Sequence, residues 1–339
     1  MSKILSICVP SYNMEQYLER CVDSMLKDEV LDKLEIIIVN DGSKDGTLAI
    51  ANGYKNRYPG SIVVIDKPNG HYGSCVNASL KVATGKYFRI VDADDWVDSD
   101  ALVEFVNTLE KIDVDCVFTK YTINNLSDNT IEVKQIDNCI YDQVLDLNSV
   151  SYPTRNLNMH SLTYRLELLK GINYVQTEGI CYTDTEYVFY PLIASRTIYF
   201  MNLSLYQYFV GRDDQSVSVA SYKKNLTHVL LLSEKFVASD EAVSKANPNA
   251  NPIRNAYLRL FGSYLCEIYL LHYPYNKELE HRVRSVITAI KSIAPQAYNR
   301  IEKLNVHKFP YVKFWMEVKP LAYVCLPLIR FFIKKLRSE

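Results

Sequence analysis

The 339-residue sequence predicts an α/β fold built on a mainly parallel sheet with helices on both faces. Two observations carry this expectation. In the first third, short β-branched apolar runs alternate with stretches of helical periodicity, the order of a doubly wound sheet. Three polar loops then follow three of those runs, at the carboxyl ends of strands where such sheets hold ligands.

The elements follow in order. Residues 4–9 are an apolar run stopped by Pro10, which predicts a buried strand. Asn13 is placed to cap a helix over 15–26, where Tyr17, Leu18, Cys21, Val22, Met25 and Leu26 share a face. Residues 34–39 form a second strand, ending at Asn40-Asp41-Gly42-Ser43, with a helix near 47–58. Strands at 61–65, 87–91 and 116–120 alternate with helices at 74–83 and 100–111, and the fourth strand stops at Asp92-Ala93-Asp94-Asp95. Residues 121–220 mix short strands, turns and polar loops. From 223 onward the pattern is helical, at 225–237, 253–273 and 277–293. The expected division is a catalytic domain over 1–222, with a donor half 1–120 and an acceptor half 121–222, and a helical region over 223–339.

Composition narrows the class. Hydrophobic residues at 48% supply a core, and a net charge of −1 gives no reason to expect nucleic-acid binding. The eight cysteines form no Cys-x-x-Cys pair, and several fall in apolar runs, as expected of reduced core residues in a cytoplasmic protein. The first ten residues are too short a lead to be a signal peptide. No apolar run reaches the ~18–20 residues of a membrane-spanning helix. The tail, 309–339, interleaves aromatic and apolar residues with Lys313, Lys319, Arg330, Lys334, Lys335 and Arg337. It fits peripheral contact at the inner face of the cell membrane, or packing on the protein itself.

The chemistry concentrates in Asp92, Asp94 and Asp95. Three carboxylates within four residues repel one another unless a positive charge sits among them. A hard divalent cation, Mg²⁺ or Mn²⁺, bridging carboxylate and diphosphate oxygens is one solution, and a solvated acidic turn is the other. Asp41 has two readings, a helix cap or a buried acceptor for a base N–H.

Taken together, several runs identify a resemblance. Val9-Pro10-Ser11-Tyr12-Asn13, Val39-Asn40-Asp41-Gly42-Ser43-Lys44-Asp45-Gly46-Thr47, Asn69-Gly70-His71-Tyr72-Gly73-Ser74-Cys75-Val76-Asn77, Ala83-Thr84-Gly85-Lys86-Tyr87 and Val91-Asp92-Ala93-Asp94-Asp95-Trp96 resemble family 2 glycosyltransferases of the GT-A fold in order and spacing over residues 1–120. The resemblance implies an inverting transferase that moves a sugar from a nucleotide donor, usually a UDP-sugar, to a hydroxyl of a glycan or lipid-linked acceptor in surface polysaccharide synthesis. It implies that Tyr12 stacks on the base, Pro10 and Ser11 line its pocket, Asp41 bonds the base edge and His71 is a nucleotide contact. Asp94 becomes the main metal ligand, Asp92 a ribose or metal contact, and Asp95 and Trp96 contacts to the sugar. Asn77 is expected to fix its loop. Gly179 to Tyr187 resembles the segment carrying the catalytic base, with Thr183 in place of the usual Glu. That gives the base to Asp184, with Glu186 as runner-up. Arg212 is placed to neutralise diphosphate charge.

The competing classes fit less well. A nucleotidyltransferase needs a Gly-rich basic loop after its first strand, which residues 10–13 do not provide. A glycosidase needs a carboxylate pair and no diphosphate loop. A non-catalytic nucleotide-sugar-binding module would have no use for Asp184.

Overall fold

A computed structural model describes residues 2–136, 139–147, 158–211, 219–246, 251–273, 275–305 and 308–317, together with Pro327 and Phe331. The chain forms two compact units, Met1–Asp213 and Asp214–Glu339.

The first unit is organised by one ten-stranded sheet. Its elements are β1 (Leu5–Ser11), α1 (Leu18–Asp23), β2 (Leu34–Asp41), α2 (Thr47–Arg57), β3 (Ile62–Lys67), α3 (His71–Val82), β4 (Tyr87–Ile90), β5 (Trp96–Val97), α4 (Ser99–Lys111), β6 (Cys116–Asn125), β7 (Thr130–Lys134), β8 (Val144–Asp146), β9 (Leu162–Arg165), α5 (Leu166–Gly171), α6 (Asp184–Ala194) and β10 (Thr197–Val210). The main path is β3-β2-β1-β4-β9-β6-β10-β5, with β7 on β6 and β8 on β10. The pairs β3–β2, β2–β1 and β1–β4 are parallel, as the alternation predicted.

Beyond β4 the sheet differs from the simple doubly wound order. The four-residue β9 runs antiparallel between β4 and β6, so the fifth predicted strand is not the neighbour of the fourth. A strand this short acquires its identity from the two neighbours that satisfy its backbone, which no local periodicity reports. β6 then pairs in parallel with the long β10, which also carries the two-residue β5 in antiparallel register.

Local chemistry shaped the helix boundaries. The first helix begins at Leu18 rather than 15, and Asn13 does not cap it. Asn13 instead takes a left-handed conformation, with φ 55°, and its side chain accepts from the Lys44 amide at 2.8 Å. α4 begins one turn after the acidic loop because Asp98 caps it, accepting from the Ala101 amide at 2.9 Å. The core of this unit packs β1 and β2 against α1 and α4, through Ile7, Val9, Ile36, Leu18, Val22, Leu102 and Phe105.

The described residues of the second unit are mainly helical. It contains α7 (Val219–Lys224), α8 (Leu226–Ala238), α9 (Asp240–Ala246), α10 (Asn251–Glu267), α11 (Lys277–Ile293), α12 (Pro295–Ile301) and α13 (Tyr311–Glu317). α10 continues as a wider π turn over Ile268–His272. Gly262 lets α10 approach the Ile287, Ile290 and Ile301 side chains closely. Trp315 is buried, donates to Glu280 at 3.3 Å and lies under the Arg284 guanidinium, 4.1 Å from its ring centre. No helix among the described residues is long and apolar enough to cross a membrane. The tail beyond Glu317 lies outside the described residues apart from Pro327 and Phe331, so the membrane expectation for 309–339 falls mostly there.

Candidate active site

The site lies at the carboxyl ends of β1, β2 and β4, where the three polar loops meet. The first two loops are zipped together by side chains. The Asn13 amide donates to Ser43 Oγ at 3.0 Å, the Met14 amide to Thr47 Oγ1 at 2.7 Å, and the Gly46 amide to Glu15 Oε2 at 2.7 Å. Tyr12 stands exposed beside this seam, while Ser11 is buried and donates to the Val9 carbonyl at 3.2 Å.

Asp41 is 3% exposed and caps no helix. Its Oδ1 is ion-paired with Lys67 and accepts from the Gly70 amide at 2.9 Å. The Asn69 side chain donates to its carbonyl at 3.0 Å. His71 begins α3 in the left-handed region, with φ 64°, and is exposed, which excludes a core role.

The acidic loop between β4 and β5 is held from both sides. Asp92 accepts from the Tyr72 hydroxyl at 2.8 Å, and its amide donates to the Tyr206 oxygen at 3.2 Å. Tyr206 in turn donates to Asp95 Oδ2 at 2.5 Å, and the Phe209 amide donates to Asp95 Oδ1 at 2.8 Å. Asp95 is thus buried with both oxygens engaged, whereas Asp92 and Asp94 are half-buried. Arg20 donates to the Asp94 carbonyl at 2.6 Å, and its guanidinium lies 4.1 Å from the Trp96 ring centre and 4.7 Å from that of Phe209. Trp96 therefore forms part of a cation–aromatic stack at the loop's end.

Electrostatics identify the strain in this loop. Burial and then the charge of Asp94 push the Asp92 carboxyl well above the usual range; Asp184 adds to the effect. Burial, Asp94 and Asp92 do the same to Asp95. His160 packs beside them, its ring 4.5 Å from that of Tyr206 and 4.3 Å from that of Tyr208. Burial and the nearby Arg89 charge lower its pKa to about 3, so it is a neutral imidazole at neutral pH. Its buried Nδ1 has no hydrogen-bond partner among the described residues.

Asp92, Asp95 and His160 each bring one ligand atom within 4.8 Å of the others. Two carboxylates and a neutral imidazole, with a third carboxylate next door, could hold a metal ion. A cation there would also relieve the repulsion that raises Asp92 and Asp95.

Asp184 is the first residue of α6, just after Tyr182 at φ 67° and Thr183 at the N-cap. Burial raises its pKa to about 6, partly offset by backbone N–H groups of the helix start. Glu186 is fully buried, and its oxygens accept from the Thr177 amide at 2.7 Å and hydroxyl at 2.9 Å. Asn77 grips the same strap, donating to the Gln176 carbonyl at 2.8 Å and accepting from its amide at 2.9 Å. The Gly179 amide donates to the Gly70 carbonyl at 2.9 Å. Residues 176–179 are thereby bound to α3. A Cβ on Gly73 would collide with the Thr177 carbonyl oxygen.

Tyr12, Asp41, Asp92, Asp94, Asp95 and Trp96 thus lie on loops and a strand end at one edge of the sheet, and Arg212 lies outside the described residues. Lys67, Tyr72, Tyr206, Arg20 and His160 were not singled out in the sequence. Their signal is weak: a lysine two residues before Asn69, a tyrosine beside His71, and the alternation of Tyr206 and Tyr208 along a strand.

The family model described as "Glycosyl transferase family 2" matches residues 6–184. A chondroitin synthase of Pasteurella multocida (strain Pm70) is 40% identical over 120 residues; the match spans 34% of this chain and only 12% of that relative. The crystal structure of S. aureus TarS 1–349 aligns with a TM-score of 0.67 at 18% identity, covering 99% of this chain and 91% of that one, and TarS 1–349 is also solved in complex with UDP-GlcNAc. The mannosyltransferase PcManGT of Pyrobaculum calidifontis, solved with GDP-Man and Mn²⁺, aligns with a TM-score of 0.51 at 16% identity, over 98% of this chain and 88% of that one. The parallel β3-β2-β1-β4 sheet, the acidic loop at the carboxyl end of β4 and the matched 6–184 segment converge on one conclusion: the chain belongs to glycosyl transferase family 2, has the GT-A fold and is a glycosyltransferase.

Proposed function

We propose that this chain is an inverting transferase that moves a sugar from a UDP-sugar to a hydroxyl of a glycan or lipid-linked acceptor in surface polysaccharide synthesis. One observation carries the assignment. Tyr72 bonds Asp92 through its hydroxyl, and its proton is held first by burial and then by the charges of Asp92 and Asp184. The proposed proton acceptor therefore stands within electrostatic reach of the acidic loop, although the two are 92 positions apart in the chain. The UDP-GlcNAc complex of TarS supports the choice of donor, and the Mn²⁺ in PcManGT supports the metal.

In this assignment Tyr12 stacks on the base and Asp41 accepts from its edge. Asp92 and Asp94 would hold a Mg²⁺ or Mn²⁺, with Asp95 and His160 within reach of the same ion; such a cation would supply charge neutralisation for a departing diphosphate. Asp184 takes the proton of the acceptor hydroxyl as its oxygen bonds to the anomeric carbon. The bond from that carbon to the diphosphate breaks on the opposite face, and UDP leaves with the electron pair. Peripheral membrane contact through 309–339 would bring a lipid-linked acceptor to this site; flotation with liposomes, with and without the tail, tests it. The decisive experiment is release of UDP from a panel of UDP-sugars with Mn²⁺ and candidate acceptors, with the anomeric configuration of the product read by NMR. Retention of configuration, or transfer that persists in Asp184→Asn, would overturn the assignment.

A further inference from the structure

We infer that Lys67 is a specificity residue for the donor base, pinning Asp41 so that one carboxylate oxygen is offered as an acceptor to a base bearing an imide N–H. The inference rests on the proposal that Asp41 is the base contact, and adds how that contact discriminates.

Lys67 ends β3 directly across from Asp41 in the parallel register of β2 and β3. An ammonium has three protons and accepts nothing. Those of Lys67 meet three acceptors: Asp41 Oδ1, the Pro68 carbonyl at 2.9 Å and Ser74 Oγ at 2.8 Å. Ser74 is aligned for this because its own proton goes to the His71 carbonyl at 2.6 Å. With all three protons committed, Lys67 has none left for a phosphate oxygen. Its role is local to Asp41.

The effect on Asp41 is geometric. Oδ1 takes both the ammonium and the Gly70 amide. The carboxylate is thereby fixed in rotation and keeps its counter-charge; Oδ2 takes part in neither bond, and the Cys75 thiol is the other group beside the carboxylate. An acceptor held rigid in a nearly buried position favours a base that presents N–H there, as uracil does through N3. It penalises cytosine, whose N3 is itself an acceptor, because two acceptors would then face each other without a proton. Without the ammonium, the carboxylate is free to rotate away from the base, and the distinction is lost.

The test is calorimetric binding of UDP and CDP, both with Mn²⁺, to the full chain. The wild type is expected to prefer UDP by about 10–100-fold, the effect of one mispaired buried hydrogen bond. Lys67→Met is expected to bring the ratio within about threefold while circular dichroism stays native. Lys67→Gln, which keeps a donor but no charge, gives the same readout should Lys67→Met not fold. A wild-type ratio in either folded variant overturns the inference. Asp41→Asn separates the two levels. If it collapses the ratio while the Lys67 variants do not, Asp41 reads the base without Lys67; if it changes neither affinity, the base-site assignment itself fails.

Discussion

The hydroxyl of Tyr206 donates to Asp95 at 2.5 Å while accepting the Asp92 amide at 3.2 Å, so one oxygen ties both ends of the acidic loop to β10. Strand β10 thereby sets the conformation of a loop more than a hundred residues earlier. Tyr206→Phe removes this tie with little change of volume and leaves Asp95 with the Phe209 amide. The expected cost is about 1–3 kcal/mol in urea unfolding, with weaker Mn²⁺-dependent UDP binding. Unchanged stability and affinity would show that the loop holds its shape unaided.

Asp94→Ala is expected to abolish the Mn²⁺-dependent part of UDP binding, measured as the thermal shift with UDP plus Mn²⁺ relative to UDP alone. A wild-type shift in this variant would move the metal wholly onto Asp92, Asp95 and His160.

Asp184→Asn is expected to leave UDP affinity unchanged and lower transfer by ~10²–10⁴. The pH dependence follows from burial. A carboxyl raised to about 6 is protonated below that pH and cannot take the hydroxyl proton, so wild-type transfer rises from pH 5 to 7 and then levels. A raised carboxyl also favours the folded state when protonated and disfavours it once ionised. Asp184→Asn should therefore stabilise the protein at pH 8 and leave it unaltered near pH 4. A pH-independent stability difference would show that burial is not what raises the group.

Glu186→Gln tests the runner-up base. Its oxygens accept from both donors of Thr177, and an amide in their place turns one acceptor into a donor facing a donor. The expected outcome is a loss of about 1–3 kcal/mol in stability, with the rise in rate near pH 6 retained. Loss of that rise would transfer the proton-accepting role to Glu186.

Gly73→Ala places a methyl group against the Thr177 carbonyl in the packed seam between α3 and the 176–179 strap. Overpacking of this kind costs about 1–3 kcal/mol, read as a lower melting temperature. An unchanged melting temperature would show that the strap yields freely, against the rigidity implied by Asn77.

The first 120 residues were legible because each parallel strand is buried on both faces and so reads as an apolar run between amphipathic helices. The loop motifs at 10–13, 40–43 and 92–95 were legible because turns at strand ends need particular residues. Lys67 was not legible, since its role depends on register with Asp41 across two strands. Nor was the difference between Asp184 and Glu186: two carboxylates two positions apart look alike in sequence, but one opens a helix and the other turns inward to bind Thr177.

Local sequence by itself determined the elements, the parallel strands and the three polar loops at their ends, because periodicity and turn preference act within a few residues. Only the tertiary structure decided where β9 inserts, which of three adjacent aspartates is buried, and which partner saturates each carboxylate. Those outcomes depend on groups distant in the chain, such as Lys67 on Asp41, 26 positions away, and Phe209 on Asp95, 114 away, and on the burial that makes an unpaired charge costly.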